Sequence, residues 1–295
     1  MNKIFQPESL KTIRRLELRA RTLVEGMLSG RHKSPFFGQS LEFRQHREYA
    51  RGDDLRRIDW KVWGKQDKYY VKQFEDETNL RASLLVDVSE SMLYGGRGSG
   101  MSKYDYAATL AVSIAYLLLR QQDSAGAISF DDEIQCTVPQ KMSRNHLNSI
   151  IQALDVDVPR RKTRMDTMLE RVAEIFPRRG MMILFSDLFT PREELWKGLK
   201  RLCASGHDVI VFHILHDDEL DFTFDGPSQF EGLEEMGRLR CNPRALREAY
   251  LEILNEYLVE IRRGCAQLHI DYSLVRTSDP FDRTLNQLLQ RRMKH

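Results

Sequence analysis

The residues best equipped for chemistry in this chain are oxygen donors. Asp87-Val88-Ser89-Glu90-Ser91 places a carboxylate and two hydroxyls at i, i+2 and i+4, where the apolar run ASLLVDVS ends. In an extended segment this alternation turns all three side chains to the same side. Ser186-Asp187 ends a second apolar run, GMMILFSDLF. Between the two runs, Thr163 and Thr167 sit where the chain enters a helical stretch. Carboxylates and hydroxyls alone form a hard, all-oxygen set, which suits Mg²⁺, Mn²⁺ or Ca²⁺ rather than zinc. With so few carboxylates the ion stays electrophilic and keeps a position open to a carboxylate from outside. That is a chemistry of metal-bridged protein binding, not of tight metal storage.

These donors cooperate only if a fold brings the two run ends to one edge. From Leu80 onward the pattern alternates. The apolar runs near 85, 183 and 211 read as buried strands, and LHIDYSLVRT as a last strand. Residues 104–121, 143–155, 166–177, 191–204, 243–265 and 280–293 read as helices. SAGAISFDDEIQCTVP reads as a hairpin that turns at Asp131-Asp132 and closes at Pro139. Such alternation predicts a doubly wound α/β domain, with a mostly parallel sheet and helices on both faces. In such sheets ligands bind past the carboxyl ends of the strands, and Asp87 and Asp187 both stand there. Upstream, residues 8–29 form a helical pattern through Leu10, Ile13, Leu16, Leu18, Leu23 and Val24, with a basic outer face. Residues 34–80 read as extended segments around a short helix, DLRRIDWKVWGK. The expected division is an N-terminal α+β appendage over 1–78 and the main domain over 79–295.

Composition excludes several classes. Of 295 residues 41% are hydrophobic, which is too many for a disordered chain. A balance of 45 basic against 43 acidic side chains gives no global attraction to a polyanion. The first quarter is basic, with Arg14, Arg15, Arg19, Arg21 and Arg31 on the helix and its exit. A nucleic-acid-binding adaptor is therefore one alternative, although no recognised motif supports it. Cys136, Cys203, Cys241 and Cys265 form no CxxC and read as reduced thiols. The opening residues lack the apolar core of a signal peptide, and the longest apolar stretch, Leu110–Leu119, is too short for a membrane span. A cytoplasmic protein is the expectation. The stretch Gly95–Lys103 is not a phosphate loop, because Met101 stands where the lysine belongs. A Mg²⁺-dependent phosphohydrolase would also use a strand-end Asp87, but its second acid is replaced by Ser89. Neither Ser89 nor Ser91 lies in a GxSxG elbow. His213 and His216 read as a core-edge and a loop histidine, and Asp217–Asp221 as an acidic loop open to basic partners.

The Asp87-x-Ser89-x-Ser91 motif with strand-end Asp187 resembles the metal-ion-dependent adhesion site of von Willebrand factor A domains. The block GQSLEFRQHREYARGDDLRRIDWKVWGKQDKYYVKQFEDETNLRASLLVDVSESM closely resembles the domain-of-unknown-function family 58, as do SDLF, GHDVIVFHIL and FEGLEEMGRLRCNPRALREAY. The resemblance spans about residues 30–292 and implies a von Willebrand A-like fold. It implies a non-enzymatic module working with a MoxR-type AAA+ ATPase in protein maturation or complex assembly. It also implies a Mg²⁺ (or Mn²⁺ or Ca²⁺) site of Asp87, Ser89, Ser91, Thr163 and Asp187 that accepts an Asp or Glu from a client or from the ATPase. The glycine usual before the family's threonine is absent from RRKT, which leaves Thr167 as a rival to Thr163. Arg56, Asp59, Trp60 and Trp63 lie in the most distinctive text. They read either as local architecture or as a docking surface with two tryptophan anchors.

Overall fold

The computed structural model describes residues 16–25, 45–48, 69–73, 80–96, 101–143, 145–155, 164–224, 228–231, 238–241 and 243–292. The chain forms two compact units: residues 36–79, and residues 1–35 together with 80–295. The N-terminal helix thus belongs to the larger unit, whereas the division expected from the sequence grouped it with residues up to 78. In the larger unit, helix α1 covers 16–25. Leu16, Ala20 and Val24 are its buried positions, and Leu18, expected among the apolar set, is 68% exposed. Spacing by four keeps one stripe inward, and Leu18 falls off that stripe. In the smaller unit, β1 (Gln45–Glu48) pairs antiparallel with β2 (Tyr70–Gln73).

The rest of the larger unit runs in chain order. Strand β3 (Arg81–Asp87) and a 3-10 turn (Glu90–Leu93) precede α2 (Lys103–Arg120). Then come β4 (Ser124–Phe130), β5 (Ile134–Lys141), α3 (His146–Leu154) and α4 (Met165–Ile175). Strand β6 (Met181–Ser186), α5 (Arg192–Ala204), β7 (Asp208–Leu215) and the single turn α6 (Asp217–Asp221) follow. The strands β8 (Ser228–Glu231) and β9 (Arg238–Cys241) pair with each other. Helix α7 (Pro243–Gln267), β10 (Asp271–Arg276) and α8 (Phe281–Arg292) complete the unit.

Six strands form one sheet in the order β10-β7-β6-β3-β4-β5. Every pairing is parallel except β4 with β5. This is a doubly wound α/β architecture. The central strands β3, β4 and β6 are buried on both faces, which is why β3 and β6 read as continuous apolar runs. One face carries α2, α3 and α8. The other packs Leu85, Met182, Leu184, Val209 and Val211 against Leu169, Leu195, Leu199 and Ile261 from α4, α5 and α7.

Pro139 lies inside β5 rather than closing the hairpin. An edge strand tolerates a missing donor, and the register shifts at this point. Gly126 faces that irregularity, and a Cβ there would stand 2.8 Å from the Val138 carbonyl. Cys136, Cys203 and Cys265 are free thiols. Among the described residues, no helix is long and apolar enough to cross a membrane.

Candidate functional site

Chain order reverses between β3 and β6, which are hydrogen-bonded neighbours with Val86 opposite Phe185. From β3 the chain goes outward through β4 to β5. From β6 it goes the other way through β7 to β10. The crevice past the carboxyl ends at such a reversal is where open α/β sheets bind ligands. Asp87 is the last residue of β3, and Asp187 follows the last residue of β6.

Both acids are buried. Ser186 Oγ donates to Asp87 Oδ2 at 2.6 Å, and the Ser89 N–H donates to Asp87 Oδ1 at 2.9 Å. Burial, together with the negative charge of Asp187, raises the Asp87 carboxyl from 3.8 to about 6, against the pull of those hydrogen bonds. Ser89, fully buried, precedes the 3-10 turn, and its Oγ lies 3.1 Å from Ser91 Oγ.

Asp187 is held from three sides. Its Oδ1 accepts the Phe189 N–H at 3.2 Å, and its Oδ2 accepts Lys103 Nζ at 2.8 Å. Its carbonyl accepts His213 Nε2 at 2.9 Å, while His213 Nδ1 accepts the Tyr272 hydroxyl at 2.8 Å. Burial lowers His213 to about 4, so the imidazole is neutral and works as an orienting donor.

Two residues that the sequence reading passed over complete the constellation. Lys103 opens α2 with its side chain 1% exposed, and its Nζ also donates to Glu219 Oε1 at 2.7 Å. Burial alone would lower the ammonium; the charges of Asp187 and Glu219 outweigh it and leave the group raised. Glu219 belongs to α6, whose first turn is closed by a capping box. The Asp218 N–H donates to His216 Nδ1 and the His216 N–H to Glu219 Oε2, at 3.1 and 2.7 Å. The loop after the serines meets this turn. Tyr94 Oη donates to Asp218 Oδ2 at 3.0 Å, and Gly96, at φ 74°, lies so close that a Cβ would sit 2.5 Å from His216 Cε1.

The expectation that Asp217–Asp221 is an acidic loop open to basic partners is therefore corrected. The stretch is helical, and its charges are largely used within the chain. Arg276 pairs with Asp221 at 2.6 Å and Asp217 at 3.3 Å, and Glu219 pairs with Lys103. His216 is a cap rather than a plain loop residue.

Asp87, Ser89, Ser91 and Asp187 thus lie past the carboxyl ends of the neighbouring strands β3 and β6. Thr163, Arg56, Asp59, Trp60 and Trp63 lie outside the described residues. Thr167, on the first turn of α4, gives its hydroxyl to Asp166 at 3.0 Å. The donor set matches a small hard cation. Mg²⁺–oxygen bonds of about 2.0–2.1 Å put neighbouring octahedral corners about 3 Å apart, which is the spacing of the two serine hydroxyls. The acids Asp87, Asp187 and Glu219 exceed the one ammonium among them. Asp87, Ser89 and Ser91 are residues that could hold such an ion.

Comparison with known proteins gives the following. The family model described as "Protein of unknown function DUF58" matches residues 45–257. Proteins described as uncharacterized from Mycobacterium bovis and Mycobacterium tuberculosis are each 26% identical over 222 residues, covering 74% of this chain and 68% of theirs. Among solved structures, the conserved hypothetical protein BatB from Bacteroides thetaiotaomicron is 14% identical with a TM-score of 0.46, covering 73% of this chain and 100% of that one. An aerotolerance-related membrane protein from Bacteroides fragilis is 17% identical with a TM-score of 0.47, covering 72% and 99%. The SpRpn10 VWA domain is 14% identical with a TM-score of 0.40, covering 70% and 95%.

Proposed function

The chain belongs to the DUF58 protein family, and from that premise and the strand-end site we propose that it is a non-enzymatic protein-interaction module that captures its partner through a divalent ion, foremost Mg²⁺. The observation that carries this reading is the pair of serine hydroxyls, 3.1 Å apart, beside the buried carboxylate of Asp87 at the sheet's point of reversal. The ion, when bound, supplies an electrophilic position for an incoming carboxylate.

The chain's own residues do the rest. Ser186 and the Ser89 amide fix the rotamer of Asp87. His213 and the Phe189 amide fix Asp187. The charge of Asp187 raises the cost of ionising Asp87 even with Lys103 beside Asp187, and that cost favours uptake of a further cation next to Asp87. Thr163 is the fifth donor in this reading. The partners are a MoxR-type AAA+ ATPase and a client that offers an Asp or Glu, acting in protein maturation or complex assembly in the cytoplasm. Arg56, Asp59, Trp60 and Trp63 are assigned to the docking surface for the ATPase.

The test is capture of the ATPase by the full chain in Mg²⁺ and in chelator, wild type beside Asp87→Ala. Capture that needs both Mg²⁺ and Asp87 is the expected result. Equal capture by a folded Asp87→Ala protein, or in chelator, would refute the metal-bridged mode.

A further inference from the structure

Lys103 occupies a costly position. It is the first residue of a buried helix, where the helix dipole presents its positive end and disfavours a cation. Burial also strips the ammonium of water. Nevertheless its side chain is 1% exposed, with Nζ 2.8 Å from Asp187 and 2.7 Å from Glu219. The ring of Phe189, its centroid 5.0 Å from Nζ, adds an apolar wall and a weak cation–π contact. The two acids come from different directions, one from the end of β6 and one from α6, and the ammonium joins them. It does for Asp187 what a metal ion would do: it neutralises the carboxylate and fixes the direction of Oδ2.

We infer that Lys103 is a built-in cation that sets the metal affinity of the strand-end site, holding Asp187 and Glu219 in competition with the divalent ion. The inference rests on the metal-binding reading above and adds its regulation. While Lys103 holds Asp187, the charge of that carboxylate is already neutralised and is not offered to the ion. Affinity in the partner-free protein is therefore low, and a carboxylate from the partner supplies the missing charge. Lys103 makes ion retention depend on the partner. A purely structural lysine predicts the opposite on removal, because a disordered site binds metal worse.

The test is calorimetric titration of the chelator-stripped full chain with Mn²⁺, with folding of each variant checked by circular dichroism. The proteins are wild type, Lys103→Met, Glu219→Gln and the double variant Lys103→Met/Glu219→Gln. Lys103→Met is expected to bind Mn²⁺ at least tenfold more tightly than wild type. The double variant, which loses one acid along with the cation and so leaves fewer unpaired charges, is also expected to bind more tightly than wild type. Glu219→Gln, which leaves Lys103 on Asp187 alone, is expected to bind no more tightly. Tight binding by Lys103→Met with none by wild type upholds the inference and limits the metal reading to the partner-bound protein. Wild-type binding with unchanged or weaker affinity in folded Lys103→Met, or in the double variant should the single one not fold, overturns the inference and leaves the metal reading standing. No binding by any variant overturns both.

Discussion

Replacing Asp87 by Asn is expected to stabilise the metal-free protein at neutral pH, an unusual outcome for a buried site residue. The carboxyl is 1% exposed, and its value in the fold is raised from 3.8 to about 6, first by burial and then by Asp187. A group raised in the folded state favours folding in its protonated form. Its contribution is complete below pH 3.8 and is lost as the pH rises through about 6. At about 1.4 kcal/mol for each tenfold change in proton affinity, the ionised carboxylate costs about 3 kcal/mol at pH 8. At pH 4.5 most of the folded molecules carry the proton, and the cost is only about 1 kcal/mol. Asparagine carries no charge at any pH. It keeps an oxygen for the Ser89 amide and offers an N–H toward Ser186 Oγ. The stability gap between Asp87→Asn and wild type is thus expected to grow by about 2 kcal/mol from pH 4.5 to pH 8. Urea unfolding in chelator across that range measures it directly, and Mg²⁺ should narrow the gap at pH 8 by stabilising only the wild type. A gap that stays constant with pH would refute the electrostatic account of this site.

Other perturbations have simpler origins. Lys103→Met in chelator is expected to lower stability by about 3–5 kcal/mol, because it leaves buried acids without their cation; a urea midpoint that does not move would show that Lys103 is dispensable to the fold. Gly264 on α7 faces Trp196, whose ring atom Cη2 would lie 2.2 Å from an added Cβ, so Gly264→Ala is expected to cost about 1–3 kcal/mol. Tryptophan fluorescence and thermal melting check that together. Leu199 is fully buried between α5 and the sheet, and Leu199→Ala is expected to cost about 2–5 kcal/mol in the same unfolding assay.

The parts of this molecule that could be read from its sequence are those whose cause is local. Strands buried on both faces leave uninterrupted apolar runs, so β3, β6 and β7 were visible, and a polar residue closing such a run marks the strand's carboxyl end. Asp87 and Asp187 follow from that logic alone. What stayed hidden is pairing across long separations. Lys103 meets Asp187 across 84 residues and Glu219 across 116. On its own, a lysine after a glycine-rich stretch reads as a solvated loop end. Likewise Asp217–Asp221 carries no periodic apolar residue to mark a helix. The signal lay in the spacing of His216 and Glu219, a capping box with an imidazole in place of the usual hydroxyl. Pro139 was read as a strand end because position in the sheet, and not propensity, decides whether a proline is tolerated.

The hidden pairs also explain why α6 matters although none of its residues stands among the proposed ion's donors. Glu219 is fixed twice, by the His216 amide on one oxygen and by Lys103 on the other. His216 in turn sits against Gly96, and Asp218 takes the hydroxyl of Tyr94, so the segment that carries Ser89 and Ser91 is fastened to α6 just beyond the serines. Asp187 reaches the same turn through Lys103. A ligand that moves Asp187 must therefore move Lys103, strain the capping box, or break one of these contacts. Hydrogen bonds to charged groups contribute about 1.5–3 kcal/mol each when buried. That range is comparable to the about 3 kcal/mol that ionised Asp87 costs at pH 8. In the proposed reading the site is balanced between two neutralised states, one held by its own lysine and one by an ion from outside, and a small difference in energy between them is what a partner carboxylate would reverse.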